Sequence, residues 1–185
     1  MLDARFRESH SIVASRHQAR LNWGVLCTST VGRLAVIPAI QRSANGRVLA
    51  IASRELERAN RAALEFEIQR AYGAYQQLID DPDVDAVYIP LPNHLHREWT
   101  IRAAAAGKHV LCEKPLALSA AEAAEMIDAC DRHGVLLMEA FMYRFHPRSI
   151  RVKKLVDGGA IGPIQLVRSA FAFLHRDPTD YRFKP

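Results

Sequence analysis

Short apolar stretches alternate with longer amphipathic stretches through most of the chain, and this alternation predicts strands followed by helices. The apolar stretches predict strands over residues 21–27, 47–53, 69–72, 85–90, 109–112 and 135–139. The amphipathic stretches predict helices over residues 31–43, 55–66, 74–79, 94–106 and 119–132. Near-continuous apolar strands separated by helices indicate a parallel sheet covered on both faces. We therefore predict an α/β fold with a doubly wound parallel sheet of the Rossmann type.

The same pattern divides the chain into three parts. Residues 1–20 are polar and without a clear period, so we expect a flexible extension. Residues 21–140 carry the strand and helix alternation of a dinucleotide-binding domain. Residues 141–185 lie outside this alternation and include a strand-like segment over residues 163–174; the resemblance of the chain to a known family, carried by motifs given below, implies that they begin a second α+β domain.

The first predicted strand is followed by a turn with small and hydroxylated residues. Parallel sheets of this kind bind ligands outside the carboxyl ends of their strands, and a G-x-G-x-x-G fingerprint would place glycines at positions 27, 29 and 32. Only Gly32 matches. Small side chains still let backbone N–H groups approach a pyrophosphate, although a turn that binds nothing is about as consistent with these residues. The cofactor candidates here are Cys27, Thr28, Ser29, Thr30 and Val31.

The second predicted strand ends at Ser53-Arg54. In NAD-binding domains an acidic residue at this place binds the ribose 2′-hydroxyl. A hydroxyl and a guanidinium suit a 2′-phosphate instead, so we favour NADP over NAD, which stays possible. The alternative is a helix cap beside a surface arginine.

Two later strand ends carry further polar residues. Leu91, Pro92 and Asn93 follow the fourth strand, and Asn93 can cap the next helix. Glu113-Lys114-Pro115 follows the fifth strand. A lysine in the cleft beside a nicotinamide could hydrogen-bond a substrate hydroxyl or carbonyl and polarise it, and the alternative is a local ion pair.

Metal sites are not indicated. His94 and His96 are two positions apart and turn away from each other on a helix. The acidic run from Asp80 to Asp85 lacks the glycine and terminal glutamate of a calcium loop, so we predict a solvated turn. The three cysteines form no C-x-x-C pair and fit reduced core thiols.

Net charge adds little to this assignment. The chain has a formal charge of +5, distributed as +2 over residues 1–20, −3 over 21–140 and +6 over 141–185. The basic residues from Arg144 to Lys154 are interpreted as a solvated helix face, because no nucleic-acid motif accompanies them. No apolar run is long enough for a membrane helix, and no signal peptide is indicated. We expect a cytoplasmic protein with neither nucleic acid nor membrane as partner.

Several of these segments together resemble the Gfo/Idh/MocA oxidoreductases, especially the branch of dihydrodiol dehydrogenase and glucose–fructose oxidoreductase. The matching segments are Trp23-Gly24-Val25-Leu26, Ala52-Ser53-Arg54, Tyr75, Asp81-Pro82-Asp83-Val84-Asp85-Ala86-Val87-Tyr88, Leu91-Pro92-Asn93 with His96, residues 106–115 ending in Glu113-Lys114-Pro115, and residues 138–147 including Arg144. The resemblance implies that Lys114 is catalytic and that Leu91, Pro92, Asn93, His96, Glu113, Lys114 and Arg144 join Ser53 and Arg54 in binding NADP(H).

The resemblance also implies an activity. Family members transfer hydride to or from a sugar, polyol or diol, and their second domain covers the nicotinamide and forms dimers. We expect an NADP(H)-dependent oxidoreductase truncated in that domain, and a homo-oligomer where the domain is complete. The alternative is a non-catalytic dinucleotide-binding or regulatory module, because fold alone does not determine function.

Overall fold

A computed structural model describes residues 20–172. Except for Arg20, the predicted extension lies outside the described residues. The chain divides after Phe141 into two compact units, residues 1–141 and 142–185.

The first unit is built on one parallel sheet. Its strands are β1 Leu21–Leu26, β2 Gly46–Ala52, β3 Arg70–Tyr72, β4 Ala86–Ile89, β5 His109–Cys112 and β6 Leu137–Glu139. Their spatial order is β3-β2-β1-β4-β5-β6. Every pairing is parallel. This is the doubly wound Rossmann order, and it confirms the predicted fold class.

Helices follow the strands as predicted. The helix after β1 contains a π-helical turn, Gly32–Val36, and continues as α1 Ile37–Arg42. The other helices of this unit are α2 Leu56–Glu65, α3 Tyr75–Ile79, a 3-10 turn Asn93–Leu95 that leads into α4 His96–Ala105, and α5 Ala120–Arg132.

Two apolar layers cover the two faces of the sheet. Because successive strand residues point to opposite faces, the neighbours Val25 and Leu26 belong to different layers. Val25 packs with Ile37 and Ile40 of α1. Leu26 packs with Leu78 of α3 and Met126 of α5. The strand residues are therefore buried in the two apolar layers, and the polar candidate residues lie after the strand ends.

The acidic turn before β4 differs from the prediction of a solvated turn. The Asp81 side chain is 2% exposed. Its carboxylate accepts two hydrogen bonds from Arg70 Nη1, at 2.7 and 2.8 Å, and one from the Tyr72 hydroxyl at 2.9 Å. Lys108 Nζ donates to the Asp81 and Val84 carbonyls at 2.7 and 2.8 Å. The prediction was wrong for Asp81 because residues distant in sequence supply its partners.

The second unit contains a 3-10 turn, Met142–Phe145, and α6 Pro147–Asp157. The predicted strand over residues 163–174 is not formed in its described part, since residues 163–172 take no regular structure and are exposed. A side-chain preference for strands is a weak determinant of structure by itself. Phe173 and Leu174 lie outside the described residues. Among residues 20–172, no helix has the length and apolar character to cross a bilayer.

We predict that Asp81→Asn destabilises the first unit by about 3 kcal/mol, the usual scale for breaking a buried ion pair. Asp83→Asn is the matched control, because Asp83 also pairs with Arg70 but its side chain is 58% exposed. The control should cost less than about 1 kcal/mol. Urea denaturation measures both, and equal losses would contradict the prediction.

The same carboxylate gives stability a dependence on pH. Burial alone would raise the pKa of Asp81, but the hydrogen bonds from Arg70, the Asp83 amide and Tyr72 outweigh burial and lower it. A carboxylate with a lowered folded pKa stabilises fully above the ordinary aspartate value of about 4 and loses this contribution as pH falls through the folded value. As the pH falls from about 5 to 2, the free energy of unfolding should therefore decrease less for Asp81→Asn than for wild type.

Candidate functional site

The segments that follow β1, β2, β4 and β5 meet at one edge of the sheet, called the carboxyl edge here. The Cys27 amide donates to the Ala52 carbonyl of β2 at 2.9 Å. The Cys27 Sγ lies 3.7 Å from the Pro90 carbonyl oxygen after β4. The Glu113 amide donates to the Ile89 carbonyl at 3.1 Å. The sheet register thus brings four predicted site segments together.

The turn after β1 has the backbone shape of a glycine-rich turn although two of its expected glycines are replaced. Cys27 has a φ of 114°, a left-handed value that favours glycine. Ser29 Oγ accepts a hydrogen bond from the Gly32 amide at 3.1 Å. A β-carbon at Gly32 would lie 3.0 Å from that oxygen and 3.5 Å from Cε1 of Tyr88. A side chain at position 32 would therefore require Ser29 to shift by a few tenths of an ångström, and Cys27 provides the left-handed backbone of the turn.

Beside this turn lies a shallow basic pocket of about 280 Å³. The first N–H groups of a helix have no partner within the helix and attract anions. The exposed residues Thr30 and Val31 stand at the start of the helix after β1. The residues that line the pocket are Thr28, Arg33, Arg58, Arg61, Ala62 and Glu65.

Ser53 and Arg54 lie at the carboxyl edge after β2. Ser53 is buried, its amide donates to the Tyr72 carbonyl at 3.0 Å, and its Oγ accepts from the Glu55 amide at 3.4 Å. This local bond is the one expected if Ser53 caps the start of the following helix. The Arg54 side chain, in contrast, is exposed at the same edge.

Arg58 in the first turn of α2 was not selected from the sequence. Burial raises the pKa of Cys27, while the charges of Arg58 and Arg54 act to lower it. Both guanidinium groups are thus close enough to the β1 turn to act on its thiol. The signal that could have identified Arg58 is its spacing of four residues from Arg54, which places two arginines at the same helix start.

The segment after β4 has an exposed part and a buried part. Pro92 and Asn93 are exposed, and Leu91 is buried. His96 is completely buried; its Nδ1 lies 2.9 Å from the Pro115 carbonyl oxygen and its Nε2 lies 2.8 Å from the Leu91 carbonyl oxygen. Both ring nitrogens face backbone oxygens, so the buried His96 side chain links the segment after β4 to the segment after β5 instead of contacting a ligand. His94 is exposed.

The Glu113-Lys114 segment is held by side chains from other strands. The Tyr88 hydroxyl donates to Glu113 Oε1 at 2.7 Å, and Glu113 Oε2 accepts from the Lys114 amide at 3.2 Å. Glu139 Oε1 accepts from the Leu116 amide at 2.9 Å. Lys114 itself is exposed at the carboxyl edge. These bonds fix the backbone of the segment and leave the lysine side chain facing solvent.

Arg144 belongs to the second unit, where it is exposed on the 3-10 turn Met142–Phe145. Among residues 20–172, no three His, Cys, Asp or Glu side chains converge as metal ligands would. Burial raises the pKa of the Cys112 thiol to about 12 and that of Cys130 to about 11. These two cysteines are therefore core thiols.

Comparison with known proteins identifies the class that this fold and edge define. The family model described as an oxidoreductase family with an NAD-binding Rossmann fold matches residues 21–141. The chain belongs to this family, the Gfo/Idh/MocA family. The family predicted from the sequence is thereby confirmed.

Its relatives include enzymes with named substrates. An NADP(+)-dependent D-xylose 1-dehydrogenase from Haloferax volcanii is 49% identical over 85% of this chain and 48% of its own length. The trans-1,2-dihydrobenzene-1,2-diol dehydrogenase of Xenopus laevis is 36% identical over 80% and 46%. A 3-ketoreductase from Actinomadura kijaniata, solved with NADP and TDP-benzene, is 39% identical with a TM-score of 0.71, covering 77% and 45%. The chain spans about half the length of the curated relatives it matches.

We predict that Cys27→Gly stabilises the first unit by about 1 kcal/mol. Backbone strain of this kind costs about 1–3 kcal/mol, while the greater freedom of an unfolded glycine removes about 0.5–1 kcal/mol of the gain. Cys27→Ala is the control, because it removes the thiol but keeps the strain. Denaturant midpoints compare the two variants, and a glycine variant no more stable than the alanine variant would refute the role of strain.

Proposed function

We propose that this protein is an NADP(H)-dependent oxidoreductase that transfers hydride to or from a sugar, polyol or diol. The observation that carries the proposal is the meeting, at one carboxyl edge, of the β1 turn, Ser53-Arg54 and Lys114. Relatives that act on D-xylose and on a dihydrodiol, and a relative solved with NADP, support the same class of reaction.

The residues of the carboxyl edge fit a dinucleotide with a 2′-phosphate. Thr30 and Val31 are exposed at the start of the helix after β1, so a pyrophosphate can approach their N–H groups. Arg54, with Arg58 nearby, supplies positive charge where an NAD-specific domain has an acidic residue. We infer that Thr28 and Ser29 add hydroxyl contacts to the same phosphates.

Lys114 is proposed as the catalytic residue. When bound, NADP(H) supplies or accepts the hydride at its nicotinamide ring. The lysine ammonium would hydrogen-bond the carbonyl oxygen of an oxidised substrate, stabilise the negative charge that develops there and transfer a proton to that oxygen as the carbonyl carbon is reduced. In the opposite direction, a neutral lysine amine would accept the hydroxyl proton.

Other residues of the edge are proposed to place the cofactor. Leu91, Pro92 and Asn93 follow β4 at the boundary between β1 and β4, the usual cofactor crevice of this strand order. Glu113 would orient the Lys114 backbone, and Arg144 stays a cofactor-binding prediction. Homo-oligomer formation and a cytoplasmic location also stay predictions.

We predict that wild type binds NADP(H) more tightly than NAD(H) and that Arg54→Ala removes the difference. A charge-assisted hydrogen bond contributes about 1.5–3 kcal/mol, so the NADP(H) dissociation constant should rise roughly 10–100-fold while that of NAD(H) changes little. The control is Arg97→Ala, which removes an equal charge from an exposed pair between Arg97 of α4 and Glu125 of α5. Calorimetric titration of both cofactors tests this, and equal wild-type affinities would remove the argument.

We predict that Lys114→Met lowers kcat roughly 10²–10⁴-fold, the scale of a positioned acid or base, and leaves the NADPH dissociation constant within about threefold. The assay is NADP⁺ reduction with a panel of aldoses, polyols and vicinal diols. Lys153→Met is the control, since Lys153 is exposed on α6 and pairs with Asp157. Tight NADPH binding without turnover of any panel member would favour the non-catalytic dinucleotide-binding module.

A further inference from the structure

Tyr88 is an aromatic polar residue inside an otherwise aliphatic strand. All four residues of β4 are buried, and Tyr88 is 0% exposed. A buried phenol is costly unless its hydroxyl has a hydrogen-bond partner. That partner is Glu113, which accepts at 2.7 Å although it follows a different strand. The bond therefore crosses from the centre of the sheet to the segment that carries Lys114.

The same ring packs beside the segment that carries the β1 turn. It lies in the apolar layer with Val25 of β1 and Ile37 of the helix that follows the turn. Its Cε1 also lies 3.5 Å from the position that a β-carbon of Gly32 would take. One side chain thus packs between β1 and that helix and, through its hydroxyl, bonds to the residue before Lys114.

Glu113 connects Tyr88 to the backbone of Lys114. One of its oxygens accepts from Tyr88, and the other accepts from the Lys114 amide at 3.2 Å. Burial and the bond to Glu113 both raise the pKa of Tyr88, so the hydroxyl stays a donor. A carboxylate held at both oxygens has one orientation, and the Lys114 peptide is oriented with it.

We propose that Tyr88 is a positioning residue that holds Glu113, and through it Lys114, in a fixed place relative to the cofactor-binding β1 turn. The importance of this role for turnover rests on the proposed catalytic function of Lys114. The positioning of Glu113 and Lys114 by Tyr88 does not rest on that function, because it concerns the protein without cofactor or substrate.

The test replaces Tyr88 by Phe and uses Tyr72→Phe as the matched control. Both tyrosines donate to a carboxylate, at 2.7 Å for Tyr88 and 2.9 Å for Tyr72, but the partner of Tyr72 is Asp81. Solvent exchange of the Lys114 amide is measured by NMR on the cofactor-free full chain. Tyr88→Phe should raise that exchange rate roughly tenfold, as expected from losing a hydrogen bond to a charged group, and Tyr72→Phe should leave it unchanged.

Glu113→Gln provides a second variant that keeps the tyrosine. The uncharged amide weakens both hydrogen bonds of residue 113, so Lys114 exchange should rise here too. In the double variant, the Lys114 amide exchange rate should rise by no more than the two single-variant increases together, since both changes disrupt one network. Unchanged exchange in either folded single variant, or an equal effect of Tyr72→Phe, overturns the proposal.

A kinetic measurement separates this role from simple stability. Under the proposed function, Tyr88→Phe should lower kcat roughly tenfold and leave the NADPH dissociation constant within about twofold, because the Lys114 geometry changes while the phosphate contacts stay. A loss in NADPH affinity with unchanged kcat would contradict a positioning role. Failure of all NADP(H) binding in wild type would remove the proposed function but leave the exchange result valid.

Discussion

Parallel hydrogen bonding of β1 to β2 on one side and to β4 on the other is the constraint on which the structure depends. Val25 pairs with Ile51 in one direction and with Tyr88 in the other. From this central strand the chain winds outward toward β3 and then, from β4, outward toward β6. Because every strand runs the same way, each loop that follows a strand reaches the same edge. Cys27 and Glu113 therefore both contact the end of β4, at Pro90 and Ile89 respectively.

Much of that arrangement could be predicted from the sequence. The apolar strands are nearly continuous, so their number and sequence positions are clear, and parallel pairing then places the residues after them at one edge. Ser53-Arg54 and Glu113-Lys114 could be selected as site segments on this basis. The sequence does not reveal what supports them, because the bonds from Tyr88 and His96 join residues separated by 25 and 19 positions.

Two expectations failed for related physical reasons. Asp81 was expected in water because its neighbours are acidic, yet an arginine and a tyrosine from β3 enclose it. Residues 163–174 were expected as a strand because their side chains favour one, yet the described part, 163–172, takes no regular structure, since side-chain preference is a weak determinant. In both cases local composition gave a wrong answer because composition does not encode long-range contacts. Cys27 is similar, since its left-handed backbone follows from the turn and not from its own preference.

The π-helical turn Gly32–Val36 separates two demands on the helix after β1. Thr30 and Val31 before this turn are exposed, whereas Ile37 and Ile40 after it pack in the apolar layer. A π-helical turn contains more residues than an α-helical turn, so the side chains that follow it point in directions different from those of an uninterrupted α-helix. The exposed start of the helix and its buried body therefore lie on opposite sides of the π-helical turn. A substitution at Thr30 or Val31 consequently changes the exposed end of the helix without repacking the apolar layer around Ile37 and Ile40.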